Sequence, residues 1–194
     1  MGGTDDLSLF EQGIEAHLET VRAMRRHLPL LKRMADRLLE ALAGGGRIYV
    51  CGNGGSAADA QHIAAELLGR FKRDRKALPA IALTTDTSVL TALVNDLGAD
   101  AVFRRQVEGL VGERDVLWLL SVSGASPNVL AAADAGRDCG ATVVAFTSSR
   151  GAALADRADL CFMADAADSD RVQEMHELGY HLICDYIERA VSDE

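Results

Sequence analysis

The sequence predicts an α/β fold of the doubly wound kind: a three-layer sandwich with a five-stranded parallel sheet (flavodoxin-like), preceded by N-terminal helices. Three observations predict it. Five short β-rich runs, at 47–51, 80–83, 116–121, 142–146 and 160–163, are almost continuously apolar, the pattern of strands covered on both faces and hence of a parallel sheet. Helical stretches separate these runs, so strand and helix alternate. The 194 residues, 48% hydrophobic and 25% charged, suit one domain with a real core.

The elements follow in chain order. From Leu7 to Leu42, apolar residues such as Leu18, Val21, Met24, Leu28, Leu31, Met34, Leu38 and Leu42 recur at three- and four-residue steps, which is helix. Pro29 divides or bends it, and Gly44-Gly45-Gly46 stops it. Strand 47–51 leads to a helix over 56–71, and strand 80–83 leads to helices over 87–93 and 101–111. Strand 116–121 is followed by helix 128–139, strand 142–146 by a short helix over 152–155, and strand 160–163 by a closing helix over 171–191. There is no internal repeat, long linker or low-complexity segment. One domain over 1–194 is expected, with 1–43 a helical segment used in oligomer packing and 44–194 the α/β core with its C-terminal helix.

Charge and composition narrow the function. Twenty basic against 29 acidic side chains leave a net charge of −9, and aromatics make up only 5%. Neither nucleic acid nor an anionic membrane suits such a surface, and at first sight a small anion does not either. Met1 to Phe10 carries Asp5 and Asp6 and lacks the basic-then-apolar layout of a signal peptide, and no apolar run approaches the roughly 20 residues of a membrane helix. A soluble cytoplasmic protein is expected. Cys51, Cys139, Cys161 and Cys184 form no Cys-x-x-Cys pair and read as reduced, buried thiols.

Ligands of open parallel sheets sit beyond the carboxyl ends of the strands. The first such loop is Gly52-Asn53-Gly54-Gly55-Ser56, with Ser56 placed as a helix N-cap. It has neither the dinucleotide fingerprint nor a P-loop lysine, and reads either as a tight turn or as a backbone cradle for an anion at a helix N-terminus. The third strand ends in Ser121-Val122-Ser123-Gly124-Ala125-Ser126, three hydroxyls at a second strand-to-helix turn. The serines either cap the next helix or join the first turn in a pocket of neutral donors suited to a sugar phosphate. Thr84–Ser88 and Thr147–Ser149 read as capping turns. Asn95-Asp96 reads as part of a loop after helix 87–93.

Four residues have ligand chemistry. His62 and Glu66 stand four apart on one helix face, a spacing for a shared metal, an acid/base pair or a plain surface hydrogen bond. On the last helix Gln173 and His181 are eight apart, a rise of about 12 Å. They reach one ion only if long side chains converge, the helix distorts near Gly179, or subunits share the duty. His176 is out of step with that pair and reads as a surface or interface residue. The basic cluster from Arg70 to Lys76 reads as the solvated end of a helix.

The string from Cys51 to Arg70, with Asn95-Asp96, Ser121–Ser126 and Arg171–His181, resembles the phosphoheptose isomerases of the sugar isomerase (SIS) fold. The resemblance covers nearly the whole chain. It implies conversion of sedoheptulose 7-phosphate to D-glycero-D-manno-heptose 7-phosphate in a homotetramer with active sites between subunits. It also implies one Zn²⁺ per subunit on His62, Glu66, Gln173 and His181, with Glu66 and His181 as the catalytic pair. Substrate positions are Asn53, Gly54, Gly55, Asn95, Asp96, Ser121, Ser123, Ser126 and Gln173, together with Glu66. Ser56, Arg70 and the backbone of Val122 line the pocket. Two departures stand out: Val122 where the family usually has threonine, and Ala125 where it usually has asparagine. The rival is a non-catalytic SIS protein that binds a sugar phosphate or a replication initiator; relatives of that kind lack the acid/base pair that Glu66 and His181 supply here.

Overall fold

The computed structural model describes residues 7–192. Met1 to Asp6, with the two early aspartates, lie outside the described residues. The chain opens with two helices, α1 (Leu7–Met24) and α2 (Leu28–Ala43), separated by a single 3₁₀ turn at Arg25–His27. Pro29 sits in the first turn of α2, where its missing N–H and fixed φ are tolerated, so the proline restarts the helix rather than kinking it. Gly45, at φ +78°, supplies the left-handed turn that ends α2.

The core then runs β1 (Ile48–Gly52), α3 (Gly55–Leu68), β2 (Ala80–Ala82), α4 (Thr87–Leu97), α5 (Ala101–Leu110), β3 (Val116–Leu120), α6 (Pro127–Asp138), β4 (Thr142–Ser148), α7 (Ala152–Ala155), β5 (Leu160–Ala164) and α8 (Ser169–Val191). The sheet is fully parallel in the order β2-β1-β3-β4-β5. In that order the winding direction reverses between β1 and β3, and the crevice for a ligand opens there, beyond their carboxyl ends.

The alternation along each strand sorts side chains to two cores. Ile48, Val50 and Trp118 face the layer of α2, α3 and α8, where they meet Met34, Leu38, Ile63 and Ile187. Tyr49, Cys51, Leu117 and Leu119 face α5 and α6 and meet Phe103, Val107, Val129 and Ala132. Every residue of β1 and β3 is buried, as their unbroken apolar runs require. Strand β2 is the exception: it lies at the sheet edge and leaves Ile81 exposed. No helix among the described residues is long and apolar enough to cross a membrane.

Three expectations fail here, each for a physical reason. Asn95-Asp96 lies inside the last turn of α4, not in a loop, because the helix runs on to Gly98, whose φ of +86° is what ends it. Thr147 and Ser148 belong to β4 and are buried. The segment from Arg70 to Lys76 follows the end of α3, and its Arg75 side chain is only 1% exposed. Arg75 still serves the helix end, donating to the carbonyls of Glu66 at 2.6 Å and Leu67 at 2.8 Å. Of the four free cysteines, Cys51 and Cys184 are buried, while Cys139 and Cys161 are only partly so.

Candidate active site: a phosphate cradle and a chelating cluster

Both ligand loops predicted from the sequence meet at the β1/β3 crevice. Asn53, Gly55, Ser56 and Gln173 form one wall of a cavity of about 240 Å³, and Ser121, Val122, Ser123 and Ser126 form the other. Gly54, at φ +56°, precedes α3 as its N-cap, which moves the helix start one residue ahead of expectation. Ser56 is therefore not the cap; it lies in the first turn, 4% exposed. Across the crevice Ser126 precedes α6 without a side-chain cap bond, and its hydroxyl instead lies 3.4 Å from that of Ser121. The mouths of two helices and four serines thus converge, an arrangement suited to an anion with no cation in its lining.

The two walls are tied together. Asn53 and Asn128 exchange a reciprocal pair of amide hydrogen bonds, Nδ2 to Oδ1 at 2.8 Å and 2.9 Å, joining the glycine turn to the start of α6. Gly124, at φ +61°, is obligatory in the serine turn, because a Cβ there would run into the backbone of Gly151.

Farther along α3 stands the second group. His62, Glu66 and His181 offer ligand atoms that all lie within 4.8 Å of one another. His62 Nε2 is 3.0 Å from Glu66 Oε1, and its Nδ1 is 2.9 Å from the Tyr180 hydroxyl. The Glu66 side chain is 17% exposed, dry enough to strengthen its interactions and open enough for a ligand. Two imidazoles and a carboxylate form a donor set that zinc takes readily, so these residues fit the expected metal. Burial, and then the neighbouring His62, push the His181 imidazole below its ordinary pKa and favour the neutral form that a ligand or a base must have.

Gln173 lies on the cradle side, in the wall it shares with Gly55 and Ser56. Its amide packs so closely over Gly55 that a Cβ there would collide with it, and it lies near enough to Asp59, one turn ahead of His62, to draw that carboxyl's pKa down. Helix α8 passes Gly179 without a break, so the distortion considered from the sequence does not occur. Gly179 is needed for another reason: a Cβ would come within 3.0 Å of the Phe146 ring.

Other candidates lie elsewhere. His176 is fully buried, its Nε2 3.2 Å from the Thr147 carbonyl oxygen, which corrects the surface reading. It belongs to the buried stripe Val172, His176, Tyr180 at four-residue steps, a phase hidden when only Gln173 and His181 are counted. Asn95 and Asp96 are exposed and bonded to each other, and Arg70 is exposed and paired with Asp74. None of the three lines the cradle cavity. A larger cavity, about 520 Å³, opens at the opposite end of the strands, by Arg33, Glu40 and Thr142, away from every predicted residue.

Two participants went unread in the sequence. Tyr180, next to His181, holds the far nitrogen of His62. Asp59 is 6% exposed with one carboxylate oxygen unpartnered, and burial pushes its carboxyl up to about 6 against the opposing pull of the nearby Gln173 amide. The i, i+3 spacing of Asp59 and His62 was available as a signal, but an alanine-rich helix gave no reason to single out a carboxylate.

Residues 10–148 match the SIS domain family. Among curated relatives, the phosphoheptose isomerase of Roseiflexus sp. (strain RS-1) is 46% identical over 182 residues, covering 93% of this chain and 92% of the relative. Among solved structures, the phosphoheptose isomerase of Neisseria gonorrhoeae superimposes with a TM-score of 0.85 at 39% identity, over 93% of this chain and 99% of that one. That of Francisella tularensis gives 0.87 at 36%, over 97% and 100%.

Proposed function

The chain belongs to the SIS domain family and, within it, to the phosphoheptose isomerases; on that premise we propose that it interconverts sedoheptulose 7-phosphate and D-glycero-D-manno-heptose 7-phosphate, the first step of activated heptose biosynthesis. One observation carries the reading: a single helix, α3, begins at the cradle and carries His62 and Glu66 farther along. From Gly55 to His62 that helix rises about 10 Å, comparable with the reach of an extended seven-carbon chain. A phosphate at one end therefore leaves the carbonyl carbons near the acid/base pair.

The cradle residues Asn53, Gly54, Gly55, Ser56, Ser121, Ser123 and Ser126, with the backbone of Val122, bind the phosphate and set the register of the carbon chain. Glu66 then takes the proton from C1 of the ketose and returns it to C2, and His181 serves the oxygen protons and opens the ring. His62, Glu66, Gln173 and His181 would hold one Zn²⁺ per subunit, and such an ion, when bound, polarises the sugar oxygens as a Lewis acid. Asn95, Asp96 and Arg70 complete a site from a neighbouring subunit of a homotetramer, which fits their exposure away from the cradle of their own chain. Within one domain over 1–194, residues 1–43 serve that packing. The location proposed is the cytoplasm. A purely regulatory protein is not favoured, because Glu66 and His181 stand together in one cluster.

Zinc removal tests this reading. The chain is treated with a chelator and its turnover of sedoheptulose 7-phosphate is followed before and after Zn²⁺ is restored; loss and recovery are expected. Turnover that ignores the chelator, with the metal shown to be gone, would refute the zinc assignment. Tight binding of the sugar phosphate with no turnover at any metal loading would favour the regulatory protein.

A further inference from the structure

Apart from Arg70, the basic segment after α3 finds a role neither in the cradle nor in the cluster, yet it is held with unusual firmness. Glu188 of α8 has a side chain 1% exposed, and both of its oxygens are committed to this segment. Oε1 accepts from the Phe71 N–H at 2.8 Å, and Oε2 accepts from the N–H groups of Lys72 at 2.7 Å and Arg73 at 3.0 Å. Three successive amides around one carboxylate form an anion nest, with Glu188 as its anion. The Arg75 guanidinium lies 3.5 Å from the same carboxylate while donating to the last carbonyls of α3. Helices α3 and α8, which carry Glu66 and His181, are thereby pinned through one buried ion pair.

What the pinned segment presents is the ring of Phe71. It stacks on the His181 imidazole with centroids 5.3 Å apart and planes 13° from parallel. His62 and Tyr180 meet the same imidazole edge-on, at 5.0 Å and 4.7 Å. A histidine side chain turns about two bonds, and rings on three sides leave it one orientation. We propose that Phe71 is a positioning residue for His181, held in place by the Glu188 nest and Arg75, and that it sets the imidazole plane for both metal binding and proton transfer. This rests on the isomerase reading above. The cradle lies elsewhere, so loss of the stack should leave sugar-phosphate binding almost untouched.

The test compares Phe71→Leu, Phe71→Tyr and Glu188→Gln with the wild-type chain. Phe71→Leu removes the flat ring and keeps apolar bulk; its kcat is expected to fall about 10-fold or more while KM stays within about 3-fold. Competition for Zn²⁺ against a chromophoric chelator should show affinity weakened about 10-fold, the usual effect of disturbing the groups that orient a ligand. Phe71→Tyr should restore both quantities. Glu188→Gln should resemble Phe71→Leu if it folds; the Phe71 pair decides the matter if it does not. Unchanged kcat and zinc affinity in Phe71→Leu, with only a lowered Tm, would overturn the proposal, as would a Phe71→Tyr variant as impaired as Phe71→Leu. A wild-type chain that binds zinc but turns over no heptose phosphate would instead refute the isomerase reading, and the zinc competition would still judge the role of Phe71.

Discussion

Tyr180 holds one nitrogen of His62 while Glu66 faces the other, so removing its hydroxyl should loosen the ring without emptying the core. Tyr180→Phe is expected to weaken Zn²⁺ binding about 10-fold with little change in Tm, read by chelator competition. His176 gives a second residue-level prediction, concerning stability. Burial holds its imidazole down to about 4, so between that value and the ordinary 6.5 the unfolded chain binds a proton that the folded chain refuses. The stabilisation is complete above about pH 6.5 and is lost as pH falls toward 4, by ~3 kcal/mol in all. Urea unfolding of His176→Gln should accordingly show a shallower loss of stability across that window than wild type; equal slopes would sink the assignment. Neither role was legible from spacing alone, because burial of a histidine depends on which helix face meets the sheet.

At the scale of elements, much was legible. Unbroken apolar runs in β1 and β3 read as strands covered on both faces, and glycine and serine at their ends offered a ligand pocket, beside plain capping turns, before any topology was known. What failed were the ends of helices: α4 ran on through Asn95 and Asp96 until Gly98 ended it, and Gly54 rather than Ser56 capped α3. The basic run after α3 misled because sequence shows charge, whereas Glu188, more than a hundred residues away, decides that Arg75 is buried. The glycine turn offers a direct test. Gly55→Ala would push the Gln173 amide aside, and that amide ends a flexible side chain, so Tm should hardly move. KM for the sugar phosphate is expected to rise about 10-fold, the loss of one hydrogen bond to a charged group. An unchanged KM would remove this turn from the substrate site.

The whole molecule carries the same logic outward. Leu7, Phe10, Ile14 and Leu18 form an exposed apolar stripe along α1, with Phe10 72% exposed. Such a stripe suits packing against other copies, and light scattering should give a mass of about 83 kDa, four times 20.7 kDa. A monomer would undo both the tetramer and the shared site. A net charge of −9 poses no obstacle to a phosphorylated substrate, because serines, backbone and helix mouths, the lining of the proposed cradle, suit an anion locally without cations. The central claim is that Glu66, set on the helix that begins at this cradle, moves a carbon-bound proton of a heptose phosphate. The most direct measurement follows aldose formation by ¹H NMR from sedoheptulose 7-phosphate with the zinc-loaded wild-type chain and with zinc-loaded Glu66→Gln. The account predicts product from the wild type and at least a ~100-fold slower rate from the variant, with sugar phosphate still bound. Undiminished turnover by Glu66→Gln, or no aldose from folded, zinc-loaded wild type, would contradict it.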